Sequence, residues 1–106
     1  MKVEKLENFK GGWFIGNFEP SLLKTDEFEV AVKEYRVGDK EPAHVHKIAT
    51  EMTLVLNGVA LFNGQPVSSG NIVVLEPGEW NEFEAFTDVT TVVIKTPSVK
   101  GDKYTE

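Results

Sequence analysis

Two histidines near the middle of the chain are the side chains whose type and spacing best suit chemistry. His44 and His46 are the only histidines in the sequence, and they stand two residues apart just after a proline. In a β-strand, such residues point to the same face and lie about 6.5–7 Å apart. Two imidazoles placed in this way can bind one metal ion at about 2.0–2.1 Å each. The alternative is a surface strand that carries both side chains without a metal.

A carboxylate follows the histidines at a distance that constrains the fold. Glu51 stands five residues after His46, so an unbroken strand would put it on the opposite face. Segment 47–50 must therefore bend or bulge to return Glu51 to the histidines. With that bend, the sequence predicts two histidines and one carboxylate around a metal. This pattern is typical of non-haem iron(II) oxygenases, in which positions stay open for substrate and oxygen.

The elements that must position these side chains are short strands. Runs rich in Val, Ile, Phe and Thr alternate with Gly, Pro and Asn, which indicates strands separated by turns. We predict nine strands, near residues 12–18, 28–37, 43–46, 51–57, 59–63, 65–67, 71–76, 80–86 and 90–96. One helical turn is predicted at 20–24, where a proline precedes two leucines. The pattern favours an all-β sandwich or barrel, with residues 1–106 forming a single domain.

Several predicted strands are apolar on both faces. Met52, Leu54 and Leu56 point one way, while Thr53 and Val55 point the other. A sheet with one solvated face would alternate apolar and polar residues, so the outer face must be covered. A partner subunit, which would make a homodimer, and residues 1–18 folded back over the sheet are equal alternatives.

Composition excludes several classes of function. The 11 basic and 17 acidic residues give a net charge of −6 without any basic block, so no nucleic-acid partner is expected. The absence of cysteine excludes disulfides and thiolate catalysis and favours a cytoplasmic protein. The start of the chain is acidic where a signal peptide needs an apolar stretch. Apolar runs reach only four residues, so no membrane partner is expected.

The spacing around the histidines resembles the first motif of the cupins. Gly38, His44, His46, Glu51 and Gly58 stand at the intervals of that motif in full, over twenty-one residues. The resemblance extends over about residues 28–97. It implies a cupin-type jelly-roll β-barrel with a metal inside, in a family that commonly forms dimers. The matching positions make His44, His46 and Glu51 the implied ligands.

The second cupin motif is present as a scaffold but departs from the family in its chemistry. Gly70 and Gly78 stand at glycine positions, whereas Glu76 occupies the proline position. Asn81 stands where the family has a histidine, and Ala85 where it has an asparagine. Since an amide oxygen binds transition metals more weakly than imidazole does, Asn81 is the expected weak fourth ligand.

The resemblance implies a small cupin that binds a divalent transition metal, either Fe, Mn, Ni or Zn. It would act on a small molecule through oxygenase-type or isomerase-type chemistry. The alternatives are a module that binds a small ligand without catalysis and a degenerate cupin without metal. Four aromatic residues are candidates for lining a substrate pocket: Phe83, Tyr35, Phe62 and Trp80. Phe83 is expected to face inward because it shares strand parity with Asn81.

Overall fold

The computed structural model describes residues 1–105, and nearly all of its regular secondary structure is antiparallel β-strand. Two short 3-10 helices, Leu6–Asn8 and Lys10–Gly12, precede the strands. The strands are β1 (Trp13–Ile15), β2 (Glu29–Tyr35), β3 (Lys40–Val45), β4 (Thr50–Asn57), β5 (Val59–Phe62), β6 (Gln65–Ser68), β7 (Ile72–Leu75), β8 (Trp80–Ala85) and β9 (Val89–Thr96). Each of the nine corresponds to a predicted strand, and seven have both ends within two residues of the prediction.

Two strands differ from their predicted bounds for identifiable reasons. β3 begins at Lys40 because Lys40 and Glu41 pair with Glu84 and Phe83 of β8. The first half of this strand was not predicted because Lys40, Glu41 and Pro42 all have low strand propensity. β1 ends at Ile15 because the next residues curl away from β2. The Gly16 N–H there is directed to the Ser21 hydroxyl and the Leu23 carbonyl.

The prediction of a helical turn at 20–24 was wrong. The segment consists of bends, and its backbone groups bond to an earlier part of the chain. Leu22 N–H donates to the Phe14 carbonyl at 2.8 Å, and the Leu23 carbonyl accepts from Gly16 N–H at 3.2 Å. The two leucines are exposed. A helix here would therefore bury no apolar side chains that could compensate for the loss of these hydrogen bonds. The 3-10 helices at Leu6–Asn8 and Lys10–Gly12 were not predicted.

The strands form two sheets that pack against each other. The five-stranded sheet has the order β1-β2-β9-β4-β7, and the four-stranded sheet has the order β3-β8-β5-β6. All paired neighbours are antiparallel. The all-β jelly-roll prediction is therefore confirmed. Because β3 and β4 belong to different sheets, residues 46–49 cross from one sheet to the other at one end of the barrel.

The core lies between the sheets. It is formed by apolar side chains from both inner faces: Val55, Ala60, Phe62, Val67, Phe83, Ala85 and Val89. Tyr35 and Val73 pack against this cluster. The turn between β5 and β6 has positive φ at both Asn63 (52°) and Gly64 (79°). Those angles are the ones that a two-residue hairpin of type I′ requires.

The outer face of the five-stranded sheet is apolar, as the residue pattern predicted. The ladder registers align two rows of four side chains across β2, β9, β4 and β7. The rows are Val30–Ile94–Met52–Val74 and Val32–Val92–Leu54–Ile72. Leu56, Ile72, Val74 and Ile94 are exposed. Of residues 1–18, the 3-10 helix Lys10–Gly12 lies against β2, and β1 pairs with β2 at the edge of the sheet. In residues 1–105, no helix has the length and apolar character needed to span a bilayer.

Candidate metal centre

Three side chains that can bind metals meet where the chain crosses between the sheets. His44 lies near the end of β3, His46 lies just beyond it, and Glu51 is the second residue of β4. One ligand atom from each lies within 4.8 Å of those of the other two. Both histidines are buried and Glu51 is nearly so. The structure thus places together the three residues that sequence spacing had selected.

An irregularity in β3 aims the histidines into the barrel. The register of β3 against β8 shifts between Glu41 and His44, which is the signature of a bulge. Pro42 lies within this shift. Because proline has no N–H to contribute to the ladder, it is tolerated at such an irregularity. The His44 ring is then fixed locally, since its Nδ1 lies 3.1 Å from the Pro42 carbonyl oxygen.

The bend predicted between His46 and Glu51 is present and is held by a distant aspartate. The Asp102 carboxylate accepts the backbone N–H groups of Lys47 (2.9 Å), Ile48 (3.1 Å) and Ala49 (2.9 Å). Burial raises the pKa of Asp102, but these three hydrogen bonds together hold it below its usual value. An ionised carboxylate therefore stabilises the bend that returns Glu51 to the histidines.

Both histidines are oriented so that Nε2 is left for a ligand. Nδ1 of His44 donates to the Pro42 carbonyl, and Nδ1 of His46 donates to the Asp102 carbonyl. In a neutral imidazole with Nδ1 protonated, Nε2 carries a lone pair. Histidines that bind metals nearly always donate their second ring N–H to a carbonyl or carboxylate in this way. The arrangement is that of imidazoles prepared for a cation.

Three buried atoms at this end of the barrel have no hydrogen-bond partner within residues 1–105. They are His46 Nε2, Glu51 Oε2 and Asn81 Oδ1. His46 Nε2 and Glu51 Oε2 lie 3.1 Å apart, so two acceptors face each other. A buried polar atom left without a partner destabilises a fold by about 1–3 kcal/mol. A divalent cation would satisfy His46 Nε2 and Glu51 Oε2 together, and the donor set of His44, His46 and Glu51 therefore fits a metal.

Asn81 lies beside the histidines in the neighbouring strand. It is the residue opposite His44 in the β3–β8 ladder, and its side chain is buried. The Asn81 side chain therefore occupies the place that the second cupin motif gives to a histidine. Its unpartnered Oδ1 is an oxygen donor of the kind that hard cations accept.

The charge around Glu51 favours its ionised form. Burial is the largest influence and raises the pKa of Glu51, but the positive charge of Lys95 helps to hold it below the usual value. Lys95 is opposite Glu51 in the β4–β9 ladder and opposite Glu29 in the β2–β9 ladder. Its Nζ lies 3.9 Å from Glu29 Oε2 and 4.9 Å from the centre of the Trp13 ring. Carboxylates bind metals as anions, so this environment suits a ligand.

The four aromatic pocket candidates occupy two different environments. Phe62 and Phe83 belong to the apolar core, with ring centroids 5.3 Å apart. Tyr35 stacks on Phe83 at 4.5 Å and donates its hydroxyl to Glu41 at 3.0 Å. Trp80 adjoins Asn81 in β8 and is 43% exposed. Phe83 faces inward, as its parity with Asn81 predicted.

Sequence reasoning missed two residues that act on the centre. The position of Lys95 could have been predicted from the sequence, because the alternation of Thr91, Val93 and Lys95 in β9 puts this lysine on the inner face. The sequence gives no indication of the role of Asp102, because this residue is 56 positions from His46 and the two come into contact only in the folded protein. A cavity of about 150 Å³ lies beside His46 and is lined partly by Lys95 and Asp102.

Comparison with known proteins supports the fold. No protein-family profile and no curated protein sequence matches this chain. Among solved structures, an uncharacterised protein with a double-stranded β-helix domain from Klebsiella pneumoniae subsp. pneumoniae MGH 78578 matches with a TM-score of 0.70. The two are 19% identical over 94% of this chain and 88% of that chain.

Two other neighbours connect the fold to the cupins. An RmlC-like cupin protein from Desulfovibrio desulfuricans has a TM-score of 0.62 and 21% identity over 74% of this chain and 79% of that chain. Oxalate decarboxylase from Bacillus subtilis, a protein with Mn(II) centres, has a TM-score of 0.65 and 13% identity. This match covers 74% of this chain and 24% of the decarboxylase. The chain therefore has the cupin fold, as the motif spacing had indicated.

Proposed function

We propose that this protein is a small single-domain cupin that binds one divalent transition metal and acts on a small molecule. His44, His46 and Glu51 are the proposed ligands, with Asn81 as a weak fourth. The metal is Fe, Mn, Ni or Zn. The observation that carries the proposal is the convergence of two Nε2 atoms, both oriented through Nδ1, on a buried carboxylate with an unpartnered oxygen. The Mn(II) centres of one structural neighbour agree with it.

The proposed reaction is of oxygenase or isomerase type. A metal bound by two imidazoles and one carboxylate would supply Lewis acidity or oxygen activation. The chain itself keeps Glu51 ionised through its neighbours and surrounds the centre with buried side chains. Phe83, two residues from Asn81 in β8, is proposed to close the substrate pocket on the side of the apolar core together with Phe62 and Tyr35, with Trp80 at its edge.

A second candidate is a ligand-binding module without catalysis. Asn81 favours this reading, because an amide oxygen holds a transition metal less firmly than the imidazole found at this position in the family. A degenerate cupin without metal is the third candidate. The three candidates share the fold but differ in metal content and in turnover.

Elemental analysis and turnover assays on the purified protein separate the candidates. We expect near-stoichiometric metal after reconstitution with Fe(II), Mn(II), Ni(II) or Zn(II), and loss of that metal in a His44→Ala, His46→Ala double variant. Turnover in a panel of oxygenation and isomerisation assays would then support the enzyme, whereas bound metal without turnover would support the binding module. Absence of metal after each reconstitution would leave the degenerate cupin.

A homodimer through the outer face of the five-stranded sheet is a second part of the proposal. The two aligned apolar rows carry no charge, although the chain has a net charge of −6. This face can therefore pair with itself around a two-fold axis without bringing charged side chains of the two rows together. Apolar rows with exposed Ile72 and Val74 are suited to that contact.

Sedimentation equilibrium tests the dimer. We expect the wild type to be dimeric and Val74→Lys to be monomeric, because the lysine would place a charge in the apolar row. Val37→Lys is the matched control, since Val37 is exposed in a loop away from this face. A monomeric wild type, or dissociation by both substitutions alike, would overturn the proposed interface.

A further inference from the structure

The segment that follows β9 returns to the candidate metal centre and is anchored at both ends. At its start, Ser98 donates its N–H to the Asp26 carbonyl and its hydroxyl to Glu29. At its end, Tyr104 exchanges two 3.0 Å backbone hydrogen bonds with Val45 of β3. The Lys47 ammonium lies 4.0 Å from the centre of the Tyr104 ring. The segment is therefore fixed against the strand that carries the histidines.

Asp102 lies between these anchors and contacts the centre in two ways. Its backbone carbonyl accepts the Nδ1–H of His46. Its carboxylate accepts the N–H groups of three consecutive residues, Lys47 to Ala49. Asp102 is 5% exposed although it stands near the end of the chain. One residue thus holds a proposed ligand and the bend that brings the next proposed ligand to it.

We propose that Asp102 is a positioning residue for the metal centre. Its carbonyl holds His46 with Nδ1 protonated, so that the Nε2 lone pair faces Glu51. Its carboxylate fixes the crossing between the sheets, so that the separation of His46 Nε2 and Glu51 Oε2 stays near 3.1 Å. A centre with ligands already in place loses less conformational freedom when a cation binds. The inference rests on the proposed metal site and assigns part of its affinity to a residue that does not touch the metal.

A purely structural role would predict a different result. If the Asp102 side chain only stabilised the loop, its removal would lower the free energy of unfolding without changing the affinity of the folded protein. Asp88 offers a matched comparison in the same chain. Its carboxylate accepts the Val37 N–H at 2.9 Å and joins two loops at the opposite end of the barrel.

Titration with Co(II), followed by visible absorption, tests the inference on the full-length chain. We expect Asp102→Ala to weaken Co(II) binding about 10-fold to 100-fold, which is the usual effect of removing a partner behind a metal ligand. Asp88→Ala should bind within about twofold of wild type. Asp102→Asn, which keeps the side-chain volume and removes one acceptor oxygen, should fall between the two and covers the case in which the alanine variant does not fold.

The tautomer of His46 gives a readout that needs no metal. In the metal-free wild type and in Asp88→Ala, ¹⁵N spectra of the histidine ring should show the proton on Nδ1. In Asp102→Ala they should show a mixture of tautomers, because the carboxylate contacts that help to hold the residue 102 carbonyl at Nδ1 are lost.

Two kinds of outcome are distinguishable. Equal Co(II) affinity in wild type, Asp102→Ala and Asp102→Asn, or equal weakening by Asp88→Ala, would overturn the positioning role while leaving the metal site in place. Failure of the wild type to bind Co(II) would instead overturn the proposed function, and the tautomer measurement would still report whether Asp102 orients His46.

Discussion

The two ends of the barrel bury different kinds of side chain. At one end the sheets meet through Val55, Phe62, Phe83 and their apolar neighbours, whose burial removes carbon surface from water. At the other end they meet through histidine, glutamate and asparagine atoms, three of which have no partner within residues 1–105. The apolar end can account for stability without any ligand. The polar end stabilises the fold poorly by itself, and this difference is what identifies it as a site.

The contrast extends to what holds each end in place. The apolar end is fixed by the packing of side chains from the two facing sheets. The polar end is fixed by a long-range connection, since Asp102 reaches the bend after β3 from the far end of the chain. Substitutions at the apolar end should therefore change unfolding, whereas those at the polar end should change binding.

The largest expected effect is on the core. Phe83→Ala should lower the free energy of unfolding by about 3–5 kcal/mol, because it leaves a cavity where Phe62 and Tyr35 meet the ring. Urea denaturation measures the loss. Phe86→Ala is the control with the same chemical change, and since Phe86 is 62% exposed its cost should stay below about 0.5 kcal/mol. Similar losses in the two variants would contradict the assignment of Phe83 to the core.

Alkaline pH should weaken the same end of the barrel. Burial, followed by the charge and hydrogen bond of Glu41, raises the pKa of Tyr35 above its ordinary value. A raised pKa means that stability is present below about pH 10 and is lost as pH rises further, by at most about 1.4 kcal/mol per pH unit.

Urea denaturation between pH 8 and pH 11 measures this alkaline loss. Tyr35→Phe should flatten the dependence, whereas Tyr104→Phe, at a residue that is 39% exposed, should retain it. If the unfolding free energy of Tyr35→Phe fell with pH as steeply as that of the wild type, the buried phenol would not be the cause of the alkaline loss.

A third imidazole should strengthen metal binding at the polar end. Asn81→His should tighten Co(II) binding about tenfold, or ~1.4 kcal/mol, because imidazole suits transition metals better than an amide oxygen does. Glu82→His adds the same side chain to the exposed position next to Asn81 and should leave the affinity unchanged. An Asn81→His variant that bound no better than wild type would show that Asn81 does not face the metal.

The smallest expected effect is that of the histidines on folding. The His44→Ala, His46→Ala double variant should keep the circular dichroism of the wild type, because burial in the apolar core and not the metal centre stabilises the domain. An unfolded double variant would mean that these residues hold the fold and not only a metal.

Local patterns were sufficient to predict most of the fold. Runs of Val, Ile, Phe and Thr and the Gly, Pro and Asn residues between them are local signals, and each of the nine strands that they predicted is present. The cupin spacing brought His44, His46 and Glu51 together correctly, because all three lie within eight residues of one another. The prediction also required a bend after His46, and the bend is present.

Features that depend on contacts between distant residues were beyond sequence reasoning. The segment at 20–24 has the composition of a helical turn, yet its N–H and carbonyl groups pair with Phe14 and Gly16. Asp102 resembles any charged residue of a terminal segment until the fold places it against the bend. Such contacts are set by tertiary structure, and no spacing in the sequence encodes them.

A crystal structure of the Co(II)-loaded protein, with anomalous scattering recorded on both sides of the cobalt edge, tests the central claim most directly. We predict one strong anomalous peak about 2.0–2.2 Å from Nε2 of His44, Nε2 of His46 and a carboxylate oxygen of Glu51. A peak bound by other residues, or no peak between these three side chains in crystals grown with cobalt, would contradict the account.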